Sequence, residues 1–160
     1  MEKTGGTRRV VVAIDDSVYS NLTMNWYAKN VWRPGDEVLL AWNVEPHPAT
    51  FGTVNLMTGD PDVISKILSE QSVHIEQTIE KFQQKLIDAK VEGRVIQLHE
   101  AKAGPAIVHA AESENAGMIV CGSRGLSTLR RTFMGSVSDY ILHHAHVPVL
   151  VCKFDPLQTH

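Results

Sequence analysis

Between residues 122 and 136 the chain reads Gly122-Ser123-Arg124-Gly125, then nine residues, then Gly135-Ser136. Glycines let a backbone come close to an anionic oxygen. A helix opening at Ser136 would present unpaired N–H groups and the positive end of its dipole to the same oxygen. Arg124, Arg130 and Arg131 fall inside this stretch, with no acid between Gly122 and Gly135. The composition suits a local anion site for an oligophosphate, in a chain whose formal net charge is −3. The competing account makes the glycines turn formers and the arginines a solvated loop. Ser136-Val137-Ser138-Asp139 also fits a capping box, which would satisfy part of the helix end from within. A helix start leaves up to about four free donors, so one cap does not consume them all.

Other chemistry-bearing residues are sparser. His143, His144 and His146 cluster near a helix end, where they favour the negative dipole end more simply than they ligate zinc, and Asp139 lies one turn before His143. Cys121 and Cys152 each close an apolar run and are expected to be buried structural thiols; Lys153 is the one adjacent cation, and no Cys-x-x-Cys spacing exists. A Walker lysine pattern, His-Glu-x-x-His and Gly-x-Ser-x-Gly are all absent, which disfavours ordinary NTPase and hydrolase chemistry. Asn21-Leu22-Thr23 matches a glycosylation acceptor but carries no weight without an export signal.

These residues need elements to hold them. Val10–Ile14 is a continuous apolar run stopped by Asp15-Asp16-Ser17, the pattern of a strand buried on both faces. Ser20 is expected to cap a helix to about Trp32, before Pro34-Gly35. Val38–Val44 forms a second strand, apolar but for Asn43. Residues 45–61 carry repeated Pro and Gly and are expected to be a long loop. From Asp62 to about Ala89 an apolar stripe including Ile64, Leu68, Ile75, Ile79 and Phe82 predicts a long amphipathic helix lying over a sheet. A third strand falls at about Val91–Leu98, and a helix opens at Gly104-Pro105 and ends at Gly117. Met118–Cys121, a short helix over Ser136–His144 and a last strand over Val147–Cys152 complete the order. Strands alternating with helices predict a single-domain, doubly wound parallel sheet of five strands with helices on both faces. In such sheets ligands bind beyond the carboxyl ends of the strands, so the loops after strands one, two and four matter most.

The chain has 160 residues, 43% of them hydrophobic and 21% charged, which fits one folded domain and excludes disordered, collagen-like and disulfide-scaffold classes. Its negative balance argues against a nucleic-acid partner. No apolar run approaches the ~20 residues that cross a bilayer, and the polar start does not resemble a secretory leader, so a cytoplasmic protein is expected.

Taken together, Val10–Asp15 with Ser17, Ser20 and Trp26, the Gly-x2-Gly-x9-Gly-Ser signature, and His144, Pro148 and Val149–Val151 resemble the universal stress protein family, in its ATP-binding branch. The resemblance covers nearly the whole chain. It implies an adenine nucleotide alpha hydrolase-like fold with sheet order 3-2-1-4-5, an ordered core over about 8–153, and tails at 1–7 and 154–160. It implies ATP or another adenine nucleotide as ligand, with or without Mg2+. By the same resemblance Asp15 contacts the ribose side beside Ala13 and Ile14, Val44 reads adenine through its backbone, and Gly122, Gly125, Gly135, Ser136 and Val137 cradle the phosphates, with Arg124 among them. The family's usual Asp-Gly-Ser after strand one is Asp15-Asp16-Ser17 here. The second carboxylate would weaken ATP binding or help hold a divalent ion with the phosphates. The expected role is a nucleotide-dependent sensor or switch in the stress response. A slow ATPase or nucleotidyl-transfer enzyme, or a dimeric interaction module with a vestigial pocket, remain open alternatives. The apolar last strand, placed at a sheet edge, predicts a homodimer through Val147–Cys152.

Overall fold

Val10, Val11 and Val12 are fully buried because their strand lies in the middle of the sheet and is covered on both faces. This is the computed structural model of the chain, and it describes residues 6–44, 60–124 and 134–154. The elements are β1 (Arg8–Ala13), α1 (Val18–Asn30), β2 (Asp36–Asn43), α2 (Pro61–Ala89), β3 (Gly93–Leu98), α3 (Ala103–Ser113), β4 (Met118–Gly122), α4 (Ser136–His144) and β5 (Val149–Cys152). The five strands form one sheet in the order β3-β2-β1-β4-β5, and every neighbouring pair is parallel. The expected fold and strand order are therefore those observed.

Strand periodicity splits the core in two. Val10, Val12, Val38, Leu40 and Val120 face Met24 and Tyr27 of α1 and Phe82 and Leu86 of α2. Val11, Leu39, Ala41, Ile119 and Cys121 face Ile107, Val108 and Ala111 of α3 and Ile141 of α4. Continuous apolar strands are what two covered faces require.

Several boundaries differ from the sequence reading. Ser17, not Ser20, caps α1: its side chain accepts from the Ser20 N–H, and the helix ends at Asn30. Ser20 lies inside the first turn, where its hydroxyl donates to the Asp15 carbonyl at 2.6 Å. α3 stops at Ser113, and the chain reverses through Asn115 at φ 50°, so Gly117 is not the stop. β5 begins at Val149, while the Pro148 carbonyl still accepts from Ile119. The residues 45–59, expected to form a long loop, lie outside the described residues.

The largest correction concerns α2. Its buried residues are Phe82 and Leu86, while Leu68 is 52% exposed and Val73 50%. Ile64, Ile75 and Ile79 are half-buried. The stripe is real, but a helix of 29 residues is about 43 Å long. Strands of six residues span only about 20 Å. The first half of α2 therefore runs past the sheet it was expected to cover.

At the amino ends of the strands the charges are paired. Asp36 is buried and receives the Arg8 guanidinium, with Nε at 2.8 Å, and the Arg33 N–H at 2.9 Å. Glu37 accepts from Arg9 Nε at 2.9 Å and Arg94 Nε at 3.3 Å. Arg94 also reaches Glu114 at 2.7 Å.

Candidate functional site

The opposite ends of the same strands open onto a cavity of about 200 Å³. Ala13, Ile14 and Asp15 leave β1 along one side, and Ala41, Trp42 and Asn43 end β2 along the next. Ala103 and Ile107 of α3, Cys121, Gly122 and Arg124 at the exit of β4, and Gly135 to Ser138 at the start of α4 complete the wall. This is the crevice where a doubly wound sheet receives ligands.

Short polar residues fix the turn after β1. Asp15 Oδ1 accepts from the Ser17 N–H at 2.9 Å, and Ser20 Oγ bonds both the N–H and the carbonyl of Asp15. Asp15 thus lines the cavity while closing its own turn. Asp16, expected to bring a second carboxylate toward the pocket, instead turns to α2 and pairs with Lys81. It is absent from the cavity wall, because side chains at successive positions of an extended turn point in different directions.

The exit of β4 is tied to the start of α4. Ser123 donates to the Cys152 carbonyl at 2.8 Å, and the Gly135 N–H donates to the Ser123 carbonyl at 2.8 Å. A Cβ on Gly122 would lie 3.0 Å from Thr23 Oγ1 and 3.1 Å from the Arg124 carbonyl, and one on Gly135 would lie 3.2 Å from the Ser123 carbonyl. Both positions are tighter than a side chain tolerates without displacement of backbone.

The capping box is not formed. Gly135 is the residue before the helix, no side chain among the described residues caps it, and a backbone bond runs from the Asp139 N–H to the Gly135 carbonyl. Ser138 Oγ donates to that same carbonyl at 2.9 Å. The N–H groups of the first turn, from Ser136 to Ser138, are those a helix leaves without partners. Gly125, Arg130 and Arg131, expected in the same cradle, lie outside the described residues.

Val44 follows the wall rather than forming it. It is buried, and its N–H donates to the Leu98 carbonyl at 2.8 Å. Asn43 was missed as a site residue, although it is the single polar residue of the apolar run Val38–Val44. Its amide donates to the Glu100 carbonyl at 3.0 Å and accepts from the Glu100 N–H at 3.2 Å, pinning the segment that leads into α3. Ala103 and Ile107 carry no chemical signal, and only the fold brings them here.

The remaining candidates fall outside the cavity or are inert. Burial, with a smaller push from neighbouring Cys152, raises the Cys121 thiol to about 12, and burial also raises Cys152. Both are free thiols. His143 and His144 donate from Nδ1 to the carbonyls of Asp139 and Tyr140 at 2.8 and 2.9 Å, and His144 stacks on Tyr140. Among the described residues no group of His, Cys, Asp or Glu is arranged to hold a metal.

The sheet order and the cleft define a doubly wound α/β protein of the class that binds at the carboxyl ends of its strands. Residues 6–153 match the profile of the universal stress protein family, and the chain belongs to that family. A universal stress protein of Mycolicibacterium smegmatis is 26% identical over 153 residues, spanning 94% of this chain and 50% of its own length. The Arabidopsis thaliana universal stress protein PHOS34 is 28% identical, spanning 94% of this chain and 63% of its own. The chain thus covers about half to two thirds of these curated relatives. Among solved structures, the Archaeoglobus fulgidus universal stress protein in complex with dAMP superposes at a TM-score of 0.61 with 19% identity, covering 90% of this chain and 96% of its own. A universal stress protein in complex with cAMP gives 0.63 with 18% identity, over 91% and 96%. At those identities the likeness establishes the shared fold. No helix among the described residues is long and apolar enough to cross a membrane.

Proposed function

We propose that this chain binds an adenine nucleotide, ATP in the first instance, and acts as a nucleotide-dependent sensor or switch in the stress response. The observation that carries this reading is the start of α4: a helix end that no side chain among the described residues caps, pinned by the Gly135–Ser123 bond, on the wall of the cleft. A phosphate there meets N–H donors and two glycines that admit close approach. Ser136 and Val137 would hold phosphate oxygens through their backbone, Arg124 would add charge, and Asp15 would receive ribose hydroxyls. The Val44 carbonyl would accept from an adenine amino group. The family's complexes with dAMP and cAMP support the same ligand class. Any Mg2+ would arrive with the phosphates, since Asp16 is directed to Lys81.

A sensor is favoured over an enzyme by the chemistry of the wall. Its titratable side chains among the described residues are Asp15, Cys121 and Arg124, and the Cys121 thiol is held at about 12. A cytoplasmic, reducing setting fits the two free thiols. Identification of nucleotide released on denaturing purified protein tests the ligand, and turnover with magnesium separates binding from hydrolysis. Recovery of no adenine nucleotide, together with no heat on ATP titration, would overturn the reading.

The same protein is expected to be a homodimer through β5. This strand is one edge of the sheet, and Val149, Leu150 and Val151 are half-buried along it. Pairing with a second copy would complete the edge under a two-fold axis. Light scattering should give twice the chain mass, and Val149→Asp should return it to one.

A further inference from the structure

Asp16 and Lys81 are 65 positions apart, and the fold joins them: Lys81 Nζ donates to Asp16 Oδ1. The next residue on α2, Phe82, is fully buried and meets the Trp42 ring edge-on, with centroids 5.6 Å apart and planes at 79°. Asp16 directly follows Asp15, and Trp42 directly precedes Asn43. Asp15, Trp42 and Asn43 all line the cavity. One turn of α2 therefore grips two separate stretches of the cavity wall from behind. It does so where α2 begins to pack on the sheet, since its buried residues are Phe82 and Leu86.

We propose that Lys81 is a positioning residue for the nucleotide pocket, holding the turn that carries Asp15 against α2 through its ion pair with Asp16 while Phe82 steadies Trp42. The inference rests on the adenine-nucleotide reading above and adds a residue outside the cavity to it. Lys81 touches no ligand in this arrangement, and its effect passes through Asp16. The Lys81 and Asp16 side chains are 50% and 59% exposed, so the pair is accessible to exchange and to salt, and its effect on affinity is modest.

The decisive quantity is the sign of the Asp16 effect. A carboxylate acting directly on a nearby oligophosphate repels it, and its removal tightens binding. A carboxylate acting as the anchor for Lys81 does the opposite. ATP titrations of the full chain with Asp16→Ala and with Lys81→Met should each show binding weakened by about two- to fivefold. The double variant should be no weaker than either single one, and the exchanged pair Asp16→Lys with Lys81→Asp should return to within about twofold of the parent. The melting temperature of the nucleotide-free protein should move by no more than about a degree in each. Tighter or unchanged binding in Asp16→Ala, or a Lys81→Met protein equal to the parent, overturns the proposal.

A second measurement is independent of ligand. Amide exchange at Ser17 and Ser20, which close the Asp15 turn, should quicken in Lys81→Met without any change at Val10–Val12. Unchanged exchange at the turn overturns the positioning role even if the parent protein takes up no nucleotide, whereas that failure of uptake alone would count against the proposed ligand.

Discussion

The two ends of the sheet are built from the same five strands and solve opposite problems. At the amino ends, Arg8, Arg9 and Arg94 close on Asp36, Glu37 and Glu114, and the strand starts are crossed by charge-assisted bonds. At the carboxyl ends the turns are made of serines and glycines, no side chain among the described residues caps α4, and a cavity opens. One end is built on paired charges, although the buried Tyr27 hydroxyl and Trp32 Nε1 beside them lack hydrogen-bond partners among the described residues, and the other end sets a helix start beside a cavity. Paired charges stabilise a fold, whereas backbone donors at a helix start beside a space suit an anion.

Substitutions at the charge-paired end should change stability and leave binding alone, and the largest effect is expected at Gly93. A Cβ there would lie 2.1 Å from the Val38 carbonyl oxygen, a contact that the β2–β3 ladder cannot absorb. Gly93→Ala should cost about 3 kcal/mol by denaturant unfolding. Asp36→Asn follows, at about 2 kcal/mol, below the range for fully enclosed pairs because Arg8 keeps about a third of its surface. ATP affinity should match the parent in both, and a loss of affinity in Asp36→Asn would break the division between the ends.

At the open end the ranking reverses. Gly122→Val should weaken ATP binding by at least about tenfold, because the new side chain meets Thr23 and the Arg124 carbonyl. Asp15→Ala should weaken it by about threefold, with a small drop in melting temperature from losing the Ser17 contact. A protein with lower melting temperature and unchanged affinity would reduce Asp15 to a turn former.

The smallest effect is that of pH on the charge-paired end. Burial alone would raise the Asp36 carboxyl, but the Arg8 hydrogen bond, the Arg33 N–H and the charge of Arg8 outweigh it and hold it below 3.8. The Arg9 hydrogen bond, opposed by burial and helped by Arg94, holds Glu37 below 4.5. Depressed folded values mean that both carboxylates contribute above their unfolded values. Stability should therefore be level from neutral pH down to about 5, then fall as acid titrates the unfolded and finally the folded carboxyls. Asp36→Asn should flatten that fall.

Much of this was legible in the residues. Strands announced themselves as unbroken apolar runs because both faces of the sheet are covered. α4 was placed at Ser136–His144, the bounds observed. Which serine caps a helix was not legible, since Ser17 and Ser20 both suit the turn and only the Asp15 carbonyl decides between them. Periodicity showed which face of α2 is apolar but not how much sheet lies beneath it. Asp15, Gly122 and Gly135 were singled out from loop positions, whereas Asn43, bridged to Glu100, and Lys81, paired with Asp16, depend on contacts across 57 and 65 positions that no local pattern encodes.

The overrun of α2 makes it a lever arm. Its buried contacts, Phe82 and Leu86, sit near one end, and Pro61 lies 21 residues away from the first of them. That is about 31 Å of rigid rod. A tilt of about five degrees at this fulcrum, small enough to keep Phe82 against Trp42, sweeps the Pro61 end through about 3 Å. Slight adjustments behind the cavity wall would thus emerge as displacements several times larger at the helix tip.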